Sequence, residues 1–199
     1  MANCVLSCPK SEKDDMKRIE TSLPGVCLIE PSVFEDERGF FFESYQEIKF
    51  AEIGIKDRFV QDNHARSVQH TLRGLHYQIK RPQAKLCRVI QGEVLDVVVD
   101  IRHGSPHFGK WESGLLSAQN KRQLYVPPGF AHGYLVLSDT AEFLYKCSDF
   151  YHPECERGVA WNDPDLGINW SVQNAILSAK DRGNPSLASI AWADLPEYT

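Results

Sequence analysis

The sequence predicts an all-β domain, a sandwich or barrel of short strands. Three observations carry that expectation. From Leu72 onward, short apolar or alternating runs recur at regular spacing, over 72–79, 85–91, 93–101, 109–117, 122–126, 132–137 and 141–150. The separators have turn chemistry: Arg81-Pro82, Gln91-Gly92, His103-Gly104-Ser105-Pro106, Pro127-Pro128-Gly129 and Ser138-Asp139-Thr140. No internal repeat, low-complexity tract or linker divides the 199 residues, a length that buries a sizeable core as one domain.

Before Leu72 the pattern is less regular. Residues 1–17 are polar, with much of the charge between Lys10 and Lys17, and read as a flexible leader. Structure is expected from Arg18, as one domain over 18–187, with a trailing arm over 188–199. Val26-Cys27-Leu28-Ile29 is a first strand, ended by Glu30-Pro31. Phe34 and the turn Asp36-Glu37-Arg38-Gly39 lead into Phe40-Phe41-Phe42. Successive side chains of a strand face opposite ways, so three consecutive Phe cannot share one core, and the surplus calls for a partner subunit. Gln46–Ile53 is the best helix, with Ile48, Phe50 and Ile53 on one face and Gly54 as its stop. Phe59–His64 is a short strand ending in polar groups. Near the end, Ala175–Asp181 predicts a short helical turn folded back over the barrel.

Composition narrows the function. Net charge is -5, with acidic and basic residues mixed along the chain, whereas a nucleic-acid binder shows a basic stripe. An anionic small ligand stays open, because a few local Arg and Lys suffice for a phosphate. The six cysteines at 4, 8, 27, 87, 147 and 155 form no CxxC pair and read as free thiols of a reducing cytosol, Cys87 as a small buried hydrophobe. No apolar run approaches the roughly 20 residues of a membrane span, so a soluble, cytoplasmic protein is expected.

The chemistry gathers in Arg73-Gly74-Leu75-His76-Tyr77-Gln78, followed by Lys85 and the turn Gln91-Gly92-Glu93. Arg73, His76 and Lys85 lie among strands dense in Val, Leu and Ile, so they point either into a barrel mouth or out to solvent. The inward reading makes His76 a catalytic base. His76-Tyr77-Gln78 is also placed like the first ligand cluster of a cupin barrel, Gly-x-His-x-His with a downstream Glu, and His132 like the second. Here, however, Gln78 replaces the second His, and Lys85 falls near the acidic ligand's place. An ammonium repels a divalent cation and an amide is a poor transition-metal ligand, so neither metal nor cofactor is expected.

The same residues suit proton transfer next to a ketone. His76 supplies a base with a pKa near working pH. Lys85 suits the carbonyl oxygen, where enolate charge develops. A phenol such as Tyr145 can re-protonate the opposite face. A carboxylate on the other imidazole nitrogen would fix the tautomer; Asp181 is a candidate that sequence alone does not select. Each has a plainer reading: His76 as a core histidine, Tyr145 as a core ring, Lys85 as a snorkelling surface lysine, Arg38 and Arg73 as ion pairs.

Several long motifs in one order tip that balance. They are Phe34-Glu35-Asp36-Glu37-Arg38-Gly39-Phe40-Phe41-Phe42-Glu43, Gln61-Asp62-Asn63-His64, Leu72 to Gln78, and Asn120-Lys121-Arg122-Gln123-Leu124. Pro128-Gly129-Phe130-Ala131-His132-Gly133, Ala141 to Lys146 and Leu177-Ser178-Ala179-Lys180-Asp181 follow. Over residues 18–187 the chain resembles the dTDP-4-dehydrorhamnose 3,5-epimerase family. The resemblance implies a metal-free cupin-type jelly-roll barrel (a double-stranded β-helix) with a few short helices. It also implies a homodimer with N-terminal strands exchanged across the interface. Carried over, His76 is the base, Asp181 its paired carboxylate, Tyr145 the acid and Lys85 the group at the C4 carbonyl oxygen. Gln61, Asp62, Asn63, Arg73, His132, Glu156 and Lys180 match substrate-contacting positions. Phe34, Arg38 and Glu43 match a segment that reaches the neighbouring subunit's nucleotide. The implied substrate is dTDP-4-dehydro-6-deoxy-D-glucose, inverted at C3 and C5 to dTDP-4-dehydro-L-rhamnose. The alternatives are inversion of one carbon only, or a non-catalytic sugar-nucleotide sensor. Three departures from the family pattern bear on specificity: Gln83-Ala84-Lys85 where Gln-Gly-Lys is usual, Phe150-Tyr151 where a Tyr pair is common, and the unusual Gln69-His70-Thr71 just before the Leu72–Gln78 motif.

Overall fold

The computed structural model describes residues 16–198; most of the expected leader lies outside the described residues. Among the described residues, thirteen strands and two short α-helices follow in chain order. The strands are β1 (Lys17–Glu20), β2 (Cys27–Glu30), β3 (Phe34–Asp36), β4 (Gly39–Phe41), β5 (Gln61–Val68), β6 (Leu72–Gln78) and β7 (Lys85–Gln91). After them come β8 (Glu93–Asp100), β9 (Trp111–Ser117), β10 (Gln123–Val126), β11 (Phe130–Val136), β12 (Thr140–Cys147) and β13 (Glu156–Gly158). Helix α1 (Glu47–Glu52) precedes β5, and α2 (Ala179–Arg182) lies near the end. Among the described residues no helix is long and apolar enough to cross a membrane.

Two antiparallel sheets make the expected jelly roll. One has six strands in the order β1-β2-β10-β7-β12-β5, the other five in the order β13-β6-β11-β8-β9. Hairpin β3–β4 stands apart as its own two-stranded unit. Strand alternation divides the apolar residues into three layers. Cys87, Val89, Val94, Val98, Phe130, Tyr134 and Phe143 fill the space between the sheets. Val97, Val99, Ile101, Ala131 and Leu135 face the other way, under Leu166, Trp170, Leu187 and Leu195 of the C-terminal segment. Cys27, Ile29, Leu86 and Tyr125, on the outer face of the six-stranded sheet, lie under Phe50, Ile55, Tyr45 and Phe59. Covering on both faces explains why β8 and β11 read as almost continuous apolar runs.

Four expectations need correction. Lys17–Glu20 is a strand, paired with β2 at the sheet edge, although its composition is polar. The segment expected as a short strand over 59–64 runs instead from Gln61 to Val68, because β12 pairs with it along its whole length. In α1 only Phe50 of the three apolar residues is buried, while Ile48 is 67% exposed. Two residues along a helix rotate by about 200°, so the two cannot share a face. Residues 192–198 do not trail: Leu195 is buried, Tyr77 Oη donates to the Asp194 carbonyl, and the Tyr198 ring covers Arg102.

Candidate active site

The barrel's open end holds a cavity of about 320 Å³ lined by residues from facing strands, His76, Lys85, Gln61, Asn63, Tyr145 and Glu156 among them. The register explains how they meet. Cys147 on β12 lies opposite both Gln61 on β5 and Lys85 on β7. One step further in, Tyr145 lies opposite Asn63 and Cys87. Residues two apart on a strand face the same side, so these two levels both point between the sheets. From the other sheet β6 brings His76, which stands opposite His132 on β11.

His76 and Asp181, 105 residues apart, form a directly bonded pair in the site. The imidazole Nε2–H donates to Asp181 Oδ1 at 2.5 Å. Asp181 is 4% exposed, delivered by the one-turn helix α2 whose first turn is capped by Ser178 Oγ on the Asp181 amide. Burial alone would raise the Asp181 pKa, but the hydrogen bond from His76, its charge and the Ser178 cap together hold it below the usual range. The dyad therefore keeps a carboxylate on Nε2, which fixes the tautomer and leaves Nδ1 to take a proton.

Across the cavity, burial pushes the Tyr145 phenol well above its ordinary pKa, so the ring holds its proton at neutral pH. Gln61 Nε2 donates to Asn63 Oδ1 at 3.1 Å, and Asn63 Nδ2 donates to Cys147 Sγ at 3.5 Å. At the rim Tyr151 Oη donates to Glu156 Oε2 at 2.5 Å, and Lys180 Nζ pairs with the same oxygen.

His132 lies deeper, buried and stacked on Phe143, and its Nε2 meets Asp96 Oδ1 at 2.6 Å. Burial lowers its pKa despite the Asp96 charge. Cys87, Asp96 and His132 bring three potential metal donors within 4.8 Å of one another. They fit a cation poorly: burial holds the Cys87 thiol protonated, and the Lys85 ammonium acts on both Cys87 and His132. At the cupin ligand positions Gln78 is also committed, its Oε1 accepting from the His152 amide and its Nε2 donating to the Arg81 carbonyl.

Other expected residues stand elsewhere in this chain. Arg73 does not line the cavity but stays beside it: it is exposed, its Nε donates to Ser67 Oγ at 3.1 Å, and its charge acts on Tyr145 and Tyr134. Asp62 points to the outer face of its sheet, where it pairs with Lys146. Phe34 and Arg38 belong to the β3–β4 hairpin, and Arg38 pairs with Asp36. Glu43 follows that hairpin and pairs with Lys49. Asp96 and Cys147 carry no site role in the sequence reading; inward placement by strand parity is the one signal that marks them, and Gln83, in the loop before β7, offers none.

The family model described as dTDP-4-dehydrorhamnose 3,5-epimerase matches residues 20–189. A dTDP-4-dehydrorhamnose 3,5-epimerase of Pseudomonas aeruginosa is 56% identical over 175 residues, covering 87% of this chain and 97% of that protein. The crystal structure of a dTDP-6-deoxy-D-glucose-3,5-epimerase from Legionella pneumophila in complex with dTDP-4-keto-L-rhamnose is similar, with a TM-score of 0.91 and 50% identity. That match covers 92% of this chain and 99% of the other. ChmJ, a 3′-monoepimerase from Streptomyces bikiniensis crystallised with dTDP-quinovose, has a TM-score of 0.85 at 36% identity, covering 90% of this chain and 93% of its own.

Proposed function

The chain belongs to the dTDP-4-dehydrorhamnose 3,5-epimerase family, and on that premise we propose that it inverts C3 and C5 of dTDP-4-dehydro-6-deoxy-D-glucose to give dTDP-4-dehydro-L-rhamnose. The observation that carries the reading is the His76–Asp181 dyad opening on a cavity shared with Lys85 and Tyr145. His76 Nδ1 removes the proton from the carbon beside the C4 ketone. Asp181 stabilises the imidazolium that results, and the Lys85 ammonium receives the charge that develops on the ketone oxygen. Tyr145, whose phenol stays protonated, delivers a proton to the opposite face of the enolate. The phenolate then recovers its proton, His76 releases its own, and the cycle repeats at the second carbon. Gln61, Asn63, Glu156 and Lys180 line or rim the cavity and serve as substrate contacts; His132 shapes its floor.

Phe34, Arg38 and Glu43 contribute in a homodimer with exchanged N-terminal strands, where the β3–β4 hairpin reaches the partner's nucleotide site. Its exposed Phe34, Phe40 and Phe41 support that assembly.

Inversion of both carbons rather than one is tested in deuterated water. The wild-type protein should place solvent deuterium at C3 and at C5 of the product, read by NMR. His76→Ala should lose wash-in at both by about a thousandfold or more. Label at C3 alone would make it a single-carbon epimerase, and no label would make it a sensor. Undiminished wash-in by His76→Ala would remove the base assignment.

A further inference from the structure

His76 has one carboxylate on its ring, and a second stands close by. Strand β13 pairs with β6 so that Gly158 lies opposite His76 and Glu156 opposite Gln78. Glu156 is thus the diagonal neighbour of His76 across the ladder, a spacing of about 7–8 Å between Cα atoms that long side chains span. Both line the same cavity. The Glu156 carboxylate is 13% exposed and is held by the Tyr151 hydroxyl and the Lys180 ammonium. Lys180 and Asp181 are consecutive in α2. One turn of helix therefore delivers both the acid that bonds His76 and the cation that offsets Glu156.

We infer that Glu156 is a positioning residue whose charge biases the protonation of His76, and that Lys180 holds that bias in check. The inference rests on the reading of His76 as the base. A nearby carboxylate favours imidazolium and a nearby ammonium opposes it. Groups facing His76 come from every side: Asp181 and Lys180 from α2, Glu156 from β13, and His132 from β11. Lys85 from β7 and Tyr145 and Cys147 from β12 face it across the cavity. Of these, Asp181 touches the ring and is fully committed to it. Glu156 and Lys180 form an adjustable pair, because each is the other's counter-charge. Removing Glu156 leaves an uncompensated ammonium near His76. Removing Lys180 leaves an uncompensated carboxylate. The two losses act with opposite sign, which no general loosening of the site reproduces.

The test is an NMR titration of the full-length protein labelled with ¹³C-histidine, with the His76 ring assigned by its loss in His76→Gln. Glu156→Gln should lower the His76 pKa by roughly one unit, and Lys180→Met should raise it by about half a unit, less because Lys180 is half exposed. Tyr151→Phe keeps both charges and should move it little. Shifts of the same sign, or shifts smaller than about 0.2 units in both charge variants, overturn the proposal. Should Glu156→Gln not fold, the sign given by Lys180→Met decides alone. No substrate is used, so a failure here is distinct from a failure of the epimerase reading, which the deuterium experiment reports.

Discussion

His132 stacks on Phe143 and shares a 2.6 Å contact with Asp96 in a place solvent does not reach. Burial outweighs the Asp96 charge and keeps its pKa below the 6.5 of a free imidazole. An unfolded chain takes up a proton there at about pH 6.5, whereas the folded chain resists it until lower pH. The sign follows: the contribution is complete above about pH 6.5 and is lost as pH falls towards the folded value, with a slope of at most about 1.4 kcal/mol per pH unit. Urea unfolding between pH 5 and 8 should show this fall in the wild type and a flatter profile in His132→Gln. Equal slopes would mean that His132 titrates alike in both states. At this scale the site is partly legible in the sequence. His76, Lys85 and Tyr145 stand out because each is a polar group inside an apolar strand. Asp96 shows the same contrast within Val94–Val99, but its partner does not follow from it, because the bond to His132 spans 36 residues. Asp181 needed the family motif, since its partner is 105 residues away.

The strands themselves were readable from Leu72 onward because period-2 alternation and turn residues agree there. Before Leu72 tertiary pairing overrides composition: β1 is Lys-Arg-Ile-Glu, and β5 carries Asp62, His64 and Arg66 on its outer side. The close crossing of β6 and β11, which presents His76 and His132 to each other, depends on small residues. A Cβ on Gly133 would sit 2.7 Å from the Arg73 carbonyl oxygen and 3.0 Å from Gly74 Cα, both backbone. Neither can yield unless a strand moves. Gly133→Ala should therefore cost about 1–3 kcal/mol of stability and lower turnover at least about tenfold, as β6 shifts His76 away from its partners. Gly114→Ala is the control: its Cβ would meet only the flexible tip of Leu28 at 3.1 Å. Urea midpoints and initial rates of both variants separate the two cases, and a Gly133→Ala protein as stable and active as the control would refute the packing argument.

For the whole molecule, the unresolved economy is the β3–β4 hairpin. It joins neither main sheet, yet it exposes Phe34, Phe40 and Phe41, the last at 70%. Lys121 alone, over the Phe40 ring and paired with Glu35, is too little cover for three exposed aromatic rings in water, and the consecutive Phe raise the same demand in the sequence. Arg38 at the turn is 85% exposed, bound only to its neighbour Asp36 among the described residues, and so is placed to meet an anion outside its own barrel. If the hairpin completes a second copy's site, association and substrate affinity must fall together when its apolar surface is removed. Burying one Phe contributes about 1.5–3 kcal/mol, so Phe41→Asp should weaken self-association by at least about tenfold. Sedimentation velocity across a dilution series measures that change. The variant should raise KM for the sugar nucleotide while leaving the His76 titration where the wild type has it, because the charged groups around His76 come from its own barrel and helix α2, not from the hairpin. A wild-type chain that sediments as a monomer at assay concentrations, or a Phe41→Asp variant that dimerises as tightly as the wild type, would return the hairpin to an unexplained surface feature.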